Sequence, residues 1–115
     1  MRKFDSGATR NDDNNKNDYE GFLSPLVIEE FGNYMTKHRK QADGALRPSD
    51  NWQKGIPFYV YMKSAWRHFW AMWMIHRGHK VYSEEDGHEV TMKEAICGLL
   101  FNSMGYLHEL LENEK

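Results

Sequence analysis

The chain has 115 residues, 40% of them hydrophobic, and a formal net charge of −2. That length suits one domain with a single core. The lone Cys97 excludes an internal disulfide, and the longest unbroken apolar run, Phe69–Ile75, is too short to span a bilayer. A reducing compartment is expected from the cysteine usage, and the polar opening from Met1 to Asn17 carries no signal-peptide pattern, so the expected location is the cytoplasm.

The small net charge hides an asymmetry. Residues 37–80 hold nine Lys or Arg against only Asp43 and Asp50, a local balance of +7, while the rest of the chain stands at −9. Four of the six histidines also fall in this block. A positive centre in a mildly acidic chain predicts a local anion site. It does not predict a track for a long nucleic acid, which calls for a domain that is basic overall.

In chain order, residues 5–18, "DSGATRNDDNNKND", contain nothing apolar larger than Ala8. This arm is expected to be flexible, or to fold over a bound ligand with Ser6, Gly7, Thr9 and Arg10 near phosphate. Ser24 followed by Pro25 predicts the start of a first helix, with Leu23 and Ile28 spaced as a hydrophobic staple. Val27, Phe31, Tyr34, Met35 and His38 share one face of it. Residues 40–57 are a long connection punctuated by Gly44, Pro48, Gly55 and Pro57, and loops of that length are often functional.

A second helix is predicted from about Phe58 to Arg77, with Gly78 as its C′ residue. Its stripe of Met62, Trp66, Phe69 and Trp73 is read as core. Residues 79–90 form a polar loop. Thr91 and Glu94 then make a capping box for a third helix reaching about Glu112. No strand alternation and no internal repeat is seen. The expected fold is all-α: a compact bundle of three principal helices, with a long ordered loop between the first two and an extended N-terminal segment. One domain spans 1–115, divided into the arm 1–18 and a helical core 19–115.

In the third helix, Glu94, Gly98, Asn102, Gly105 and Glu109 fall on one stripe. Two glycines cost about 1 kcal/mol each against alanine in a helix interior, so something must come close to them. Two readings stay open: tight helix–helix packing with Asn102 hydrogen-bonded across it, or a groove floor where Asn102 meets a ligand. His68 and His76 are too far apart along the helix to share one metal ion, and no zinc-ligand spacing occurs. His68, beside Arg67, is read either as a hydrogen-bonded core residue or as a contact to phosphate. For Mg²⁺, only Glu109-x-x-Glu112 and the scattered Glu30 are available.

The stretch "DNWQKGIP" (50–57) is rich for a connector. Lys54 and backbone donors suit phosphate, Trp52 suits a base, and Asn51 suits a turn or a base edge; the alternative is that Trp52 plugs the core and Asp50 and Asn51 form an Asx turn. Together, "FDSGATR" (4–10), "DYEGFLSPL" (18–26), "DNWQKGIP", "WRHFW" (66–70), "HRG" (76–78) and "LLFNSMGYLHEL" (99–110) resemble a phage-associated family, the N-terminal domain of dATP/dGTP diphosphohydrolase. The resemblance covers nearly the whole chain. It implies a phage protein of the host cytoplasm that handles purine deoxynucleotides, with hydrolysis of dATP or dGTP to the monophosphate and pyrophosphate, and Mg²⁺ as cofactor in that case. The alternative is a non-catalytic protein that sequesters a nucleotide or a host immune signal. Asn51, Trp52, Lys54 and Gly55 correspond to the family's Asn-Trp loop, Arg67 and His68 to its Arg-His pair, and Asn102 to its central helix Asn. The expected nucleotide-binding set is Arg10, Asn51, Trp52, Lys54, Arg67, His68, Arg77 and Asn102; catalytic and metal-binding residues are left open. A homo-oligomer is also expected, because three helices this rich in aromatics do not cover one another.

Overall fold

The computed structural model describes all residues, 1–115. Four helices carry the fold: α1 (Tyr19–Phe22), α2 (Pro25–Lys37), α3 (Phe58–His76) and α4 (Met92–Asn113). A 3₁₀ turn spans Asn51–Lys54, and two short strands, β1 (Arg2–Lys3) and β2 (Thr9–Arg10), pair antiparallel. No helix is long and apolar enough to cross a membrane.

The helix ends follow the local chemistry. Ser24 caps α2 through its hydroxyl, which accepts from the Val27 amide at 3.3 Å, with Pro25 in the first turn. Thr91 and Glu94 form the reciprocal capping box of α4. Gly78, at φ +88°, ends α3 in the left-handed region that glycine enters without strain.

The core is the seam between α3 and α4. The Tyr61 ring lies against Gly105 and the His68 ring against Gly98, so the two helices run antiparallel. A Cβ on either glycine would overlap the facing ring. The glycine stripe is therefore explained by rings from α3 entering the surface of α4, rather than by two backbones in contact. Ala71 and Ala95 continue the seam, with Ala95 fully buried. Helix α2 packs on α4 and half-buries Phe31, Tyr34 and Met35.

The expected all-α compact three-helix bundle needs correction on three points. The molecule is mostly helical, but its N-terminal arm folds back as a hairpin: Gly7 at φ +89° closes the loop, with the Phe4 amide bonded to the Ala8 carbonyl. The body is not a compact bundle. Its radius of gyration is 19.2 Å, against about 13 Å for a compact chain of this length. Finally, the Met62, Trp66, Phe69 and Trp73 stripe faces outward instead of inward, with Trp66 65% exposed. The inward face of α3 carries the smaller or polar set Tyr61, Ser64, Ala65, His68 and Ala71. Periodicity locates a stripe but does not say which neighbour covers it.

The seam gives a stability test. Gly105→Ala should destabilise by about 1–3 kcal/mol through overpacking against Tyr61. Gly32→Ala, in α2, meets nothing within 4 Å and should stabilise by up to about 1 kcal/mol. Urea unfolding at one fixed protein concentration compares them; equal tolerance of both alanines would rule out the ring-in-glycine packing.

Candidate functional site

The segment from His38 to Pro57 builds one wall of the site. At its start, Gln41, Ala45 and Gly44 form a tight hairpin: the Gln41 amide bonds to the Ala45 carbonyl at 2.8 Å and Gly44 sits at φ +86°. Asp43 Oδ1 accepts from the Ala45 amide, fixing the turn. The hairpin brings Arg47 back beside Arg39, with the Arg47 amide donating to the Arg39 carbonyl at 2.8 Å. Arg39 Nε donates to the Arg47 carbonyl, and Arg47 Nη1 to the His38 carbonyl.

The second half of the segment is fastened to α4. Trp52 packs edge-on against His108 and Phe101, with ring centroids 4.9 and 5.9 Å apart. The Ile56 amide donates to Glu109 Oε1 at 3.3 Å. Glu109 thus tethers the loop to the helix, and Trp52 is the anchor that holds the 3₁₀ turn in place.

Between this wall, the end of α2 and the α3–α4 seam lies a cavity of about 340 Å³. Arg39, Arg47 and Arg67 border it, together with His38, His68, Asn51, Trp52 and Asn102. None of the three guanidinium groups pairs with a carboxylate. Arg67 Nη2 donates only to Ser64 Oγ, at 2.9 Å. Asn102 is 6% exposed; its Nδ2 donates to the Gly98 carbonyl at 2.7 Å, and that fixes Oδ1 as the atom with no protein donor. His38 Nδ1 donates to the Tyr34 carbonyl at 2.8 Å while its ring stacks on Tyr34 at 4.1 Å. Burial, followed by the nearby Arg67 guanidinium and the His38 ring, holds His68 below the ordinary histidine range, so it is neutral at pH 7.

A second cavity of about 460 Å³ shares Tyr34, His38 and Arg47 with the first. Its far side is acidic, with Glu30, Glu85, Asp86 and Glu94, and Lys37, Lys40 and Lys93 are interspersed. Burial, helped by Cys97, Glu94 and Glu85, pushes the Tyr34 hydroxyl up to about 12, so the shared wall stays a neutral phenol. Cys97 is buried, and that burial, with Glu30 nearby, keeps its thiol protonated. No three His, Cys, Asp or Glu side chains converge on a point that would hold a metal ion.

Five of the eight sequence-predicted residues line the first cavity: Asn51, Trp52, Arg67, His68 and Asn102. The other three lie elsewhere. Arg10 is in β2, paired with Arg2; Lys54 ends the 3₁₀ turn on the exposed side; Arg77 follows the last turn of α3. Tyr34, His38, Arg39 and Arg47 were not singled out as ligand contacts. The signal for the arginines was present: Asp43-Gly44 is a hairpin dipeptide, and a tight turn there pairs the residues flanking it.

The loop after α3 is held by one histidine. His88 Nε2 bonds to Glu94 Oε2 at 2.8 Å and its Nδ1 to Asp86 Oδ1. Both ring nitrogens donate to carboxylates only in the imidazolium form. Accordingly the Glu94 and then the Asp86 hydrogen bond raise His88 above 6.5. The amide and then the ring of His88 lower Asp86; in Glu94, burial pushes upward but the His88 and Thr91 hydrogen bonds outweigh it. A raised histidine stabilises the fold fully below its unfolded pKa, and this contribution fades as pH rises through the folded one. Lowered carboxylates lose theirs as pH falls through their folded values. The melting temperature should therefore show a His88-dependent fall above pH 6.5, and His88→Ala should flatten that limb. An NMR titration placing the His88 pKa at or below 6.5 would dismiss the latch.

Compared with family models, curated proteins and solved structures, the chain finds no match.

Proposed function

We propose that the protein binds a purine deoxynucleotide through its phosphates in the cavity bordered by Arg39, Arg47 and Arg67. The observation that carries this reading is the three guanidinium groups around one cavity without a carboxylate partner. Arg39 is half-buried while Arg47 and Arg67 are exposed, so their mutual repulsion is modest, and an anion entering from solution can reach all three and accept forked hydrogen bonds. The neutral His68 and the free Oδ1 of Asn102 add an uncharged donor or acceptor and an acceptor at the floor. These suit the polar edge of a base or a sugar hydroxyl. Purine and deoxyribose preference come from the sequence resemblance, which also supplies the phage setting.

Hydrolysis to the monophosphate and pyrophosphate is the second reading, favoured by the acidic cavity that opens beyond the shared Tyr34–His38–Arg47 wall. Its carboxylates do not fit a preformed Mg²⁺ site. Asp86 and Glu94 are engaged by His88; of the two sequence candidates, Glu109 is engaged by the Ile56 amide, which leaves Glu30, with Glu85, as the remaining acids lining that cavity. We therefore take binding, and through it sequestration of the nucleotide, as the function best supported.

Calorimetry with dGTP and dATP tests it, in EDTA and in Mg²⁺, with pyrophosphate release followed in parallel. Binding that persists in EDTA without product supports the binder. Product formed only with Mg²⁺ replaces it by the hydrolase. Absence of heat with every purine nucleotide rejects both. Arg47→Ala and Arg67→Ala should each weaken binding by more than about 1.5 kcal/mol, the lower end for a charged hydrogen bond. Lys115→Ala, at an exposed pair with Glu112, should leave affinity unchanged.

A further inference from the structure

The outward side of the α3–α4 hairpin has the character of an interior. On α3, Tyr59, Met62, Trp66, Phe69, Trp70 and Trp73 are all exposed. At 100° per residue they fill one arc of the helix with no charged residue inside it. On α4, Ile96, Leu100, Leu107, Leu110 and Leu111 are exposed on a similar arc. None of these residues lines either cavity. They lie away from α2 and the 38–57 segment, which cover the other side of the hairpin.

Inside the single chain there is too little core to hold this arrangement. Seven residues are buried, and the hydrophobic ones are Tyr61, Ala71, Ala95 and Cys97. The accessible surface is 9649 Å², whereas a compact monomer of 13.6 kDa exposes about 6,600 Å². The bare helix arcs contribute to the excess, as do the N-terminal arm and exposed side chains of α1 and α2 such as Phe22 and Leu26. An obligate interface removes about 1,000–2,500 Å² from each partner, which this excess accommodates.

We infer that two copies of this chain pack their α3–α4 hairpins against each other through these arcs, forming a four-helix core whose cavities open on the outside. The occupant is a second copy because the fold depends on it. A chain that buries four hydrophobic side chains alone needs its partner while it folds, and in equal amount; only another copy of itself is always present in that way. An uncharged centre of aromatic and branched aliphatic side chains is the composition of a permanent interface rather than of a transient one. An antiparallel helix pair related by a two-fold axis to its copy gives the helix packing of an ordinary four-helix bundle.

Two measurements on the full chain test this. Sedimentation equilibrium at micromolar concentration should give a mass of at least twice 13.6 kDa. Ser103→Cys introduces a small thiol on the α4 arc, one turn from Leu99 and Leu107 and two turns from Ile96 and Leu110, without removing apolar surface. In the folded protein this thiol should lose its labelling by a maleimide reagent and regain it in urea; the buried Cys97 of the parent chain sets the background. A single-chain mass with intact helical circular dichroism overturns the inference. So does rapid labelling of Ser103→Cys in a folded oligomer, which places the interface elsewhere. Neither result bears on nucleotide binding, since the cavities lie on the other side.

Discussion

Everything in this molecule hangs on two glycines of α4 that let aromatic rings from α3 sink into the helix surface. Gly105 takes Tyr61 and Gly98 takes His68. With side chains at either position the helices would stand further apart, and the floor of the arginine cavity would move with them. The ring of His68, held at this depth, is desolvated and next to Arg67, which is why it stays neutral. Asn102 lies between the two glycines along α4 and is buried by the same close approach. Its amide turns back to the Gly98 carbonyl, leaving one oxygen directed elsewhere. Packing and site chemistry are thus one arrangement.

The loop wall depends on that seam through Trp52 and Glu109. Trp52 leans on Phe101 and His108, side chains of α4 that are in place only when α4 is, and Glu109 accepts the Ile56 amide from the same stripe as the glycines. The hairpin from Arg39 to Arg47 closes by its own backbone hydrogen bonds, so its two arginines arrive as a fixed pair. Arg67 comes from α3 on the opposite side. Three cations from two independent elements meet around one space, and no acid of the chain reaches them. Two of them, Arg47 and Arg67, are exposed, so the positive charge is open to counter-charge from solution.

What was legible in the sequence was mainly local. Ser24-Pro25, Thr91 with Glu94, and Gly78 mark helix ends because capping is decided by a few neighbouring atoms. Asn51, Trp52, Arg67, His68 and Asn102 line one cavity, which Arg10, Lys54 and Arg77 do not. The hairpins were missed although their turns are written plainly. Asp5-Ser6-Gly7 and Ala42-Asp43-Gly44 are both three-residue loops ending in a left-handed glycine. The strands beside them are too short to show alternation, so a search for period two passes over them. The aromatic stripe of α3 was misplaced for a deeper reason. Apolar spacing says that a face avoids water; it does not say whether the chain's own helices or another molecule covers it.

The two cavities sharing the Tyr34–His38–Arg47 wall have opposite electrostatic character, and the wall keeps them apart. Arg39 and Arg67 lie only on the first, while Glu30, Glu85, Asp86 and Glu94 lie only on the second. Tyr34 does not ionise at neutral pH, so the wall carries no negative charge of its own toward the arginines. No carboxylate of the second cavity forms an ion pair with the guanidinium groups of the first. Instead His88 holds Asp86 and Glu94 at the mouth of α4. That latch ties down the loop and engages two of the four acids that line the second cavity. The latch sits on a loop whose sequence, "YSEEDGHEV", reads as ordinary polar surface, because a histidine held between two acids is visible only once the loop is folded.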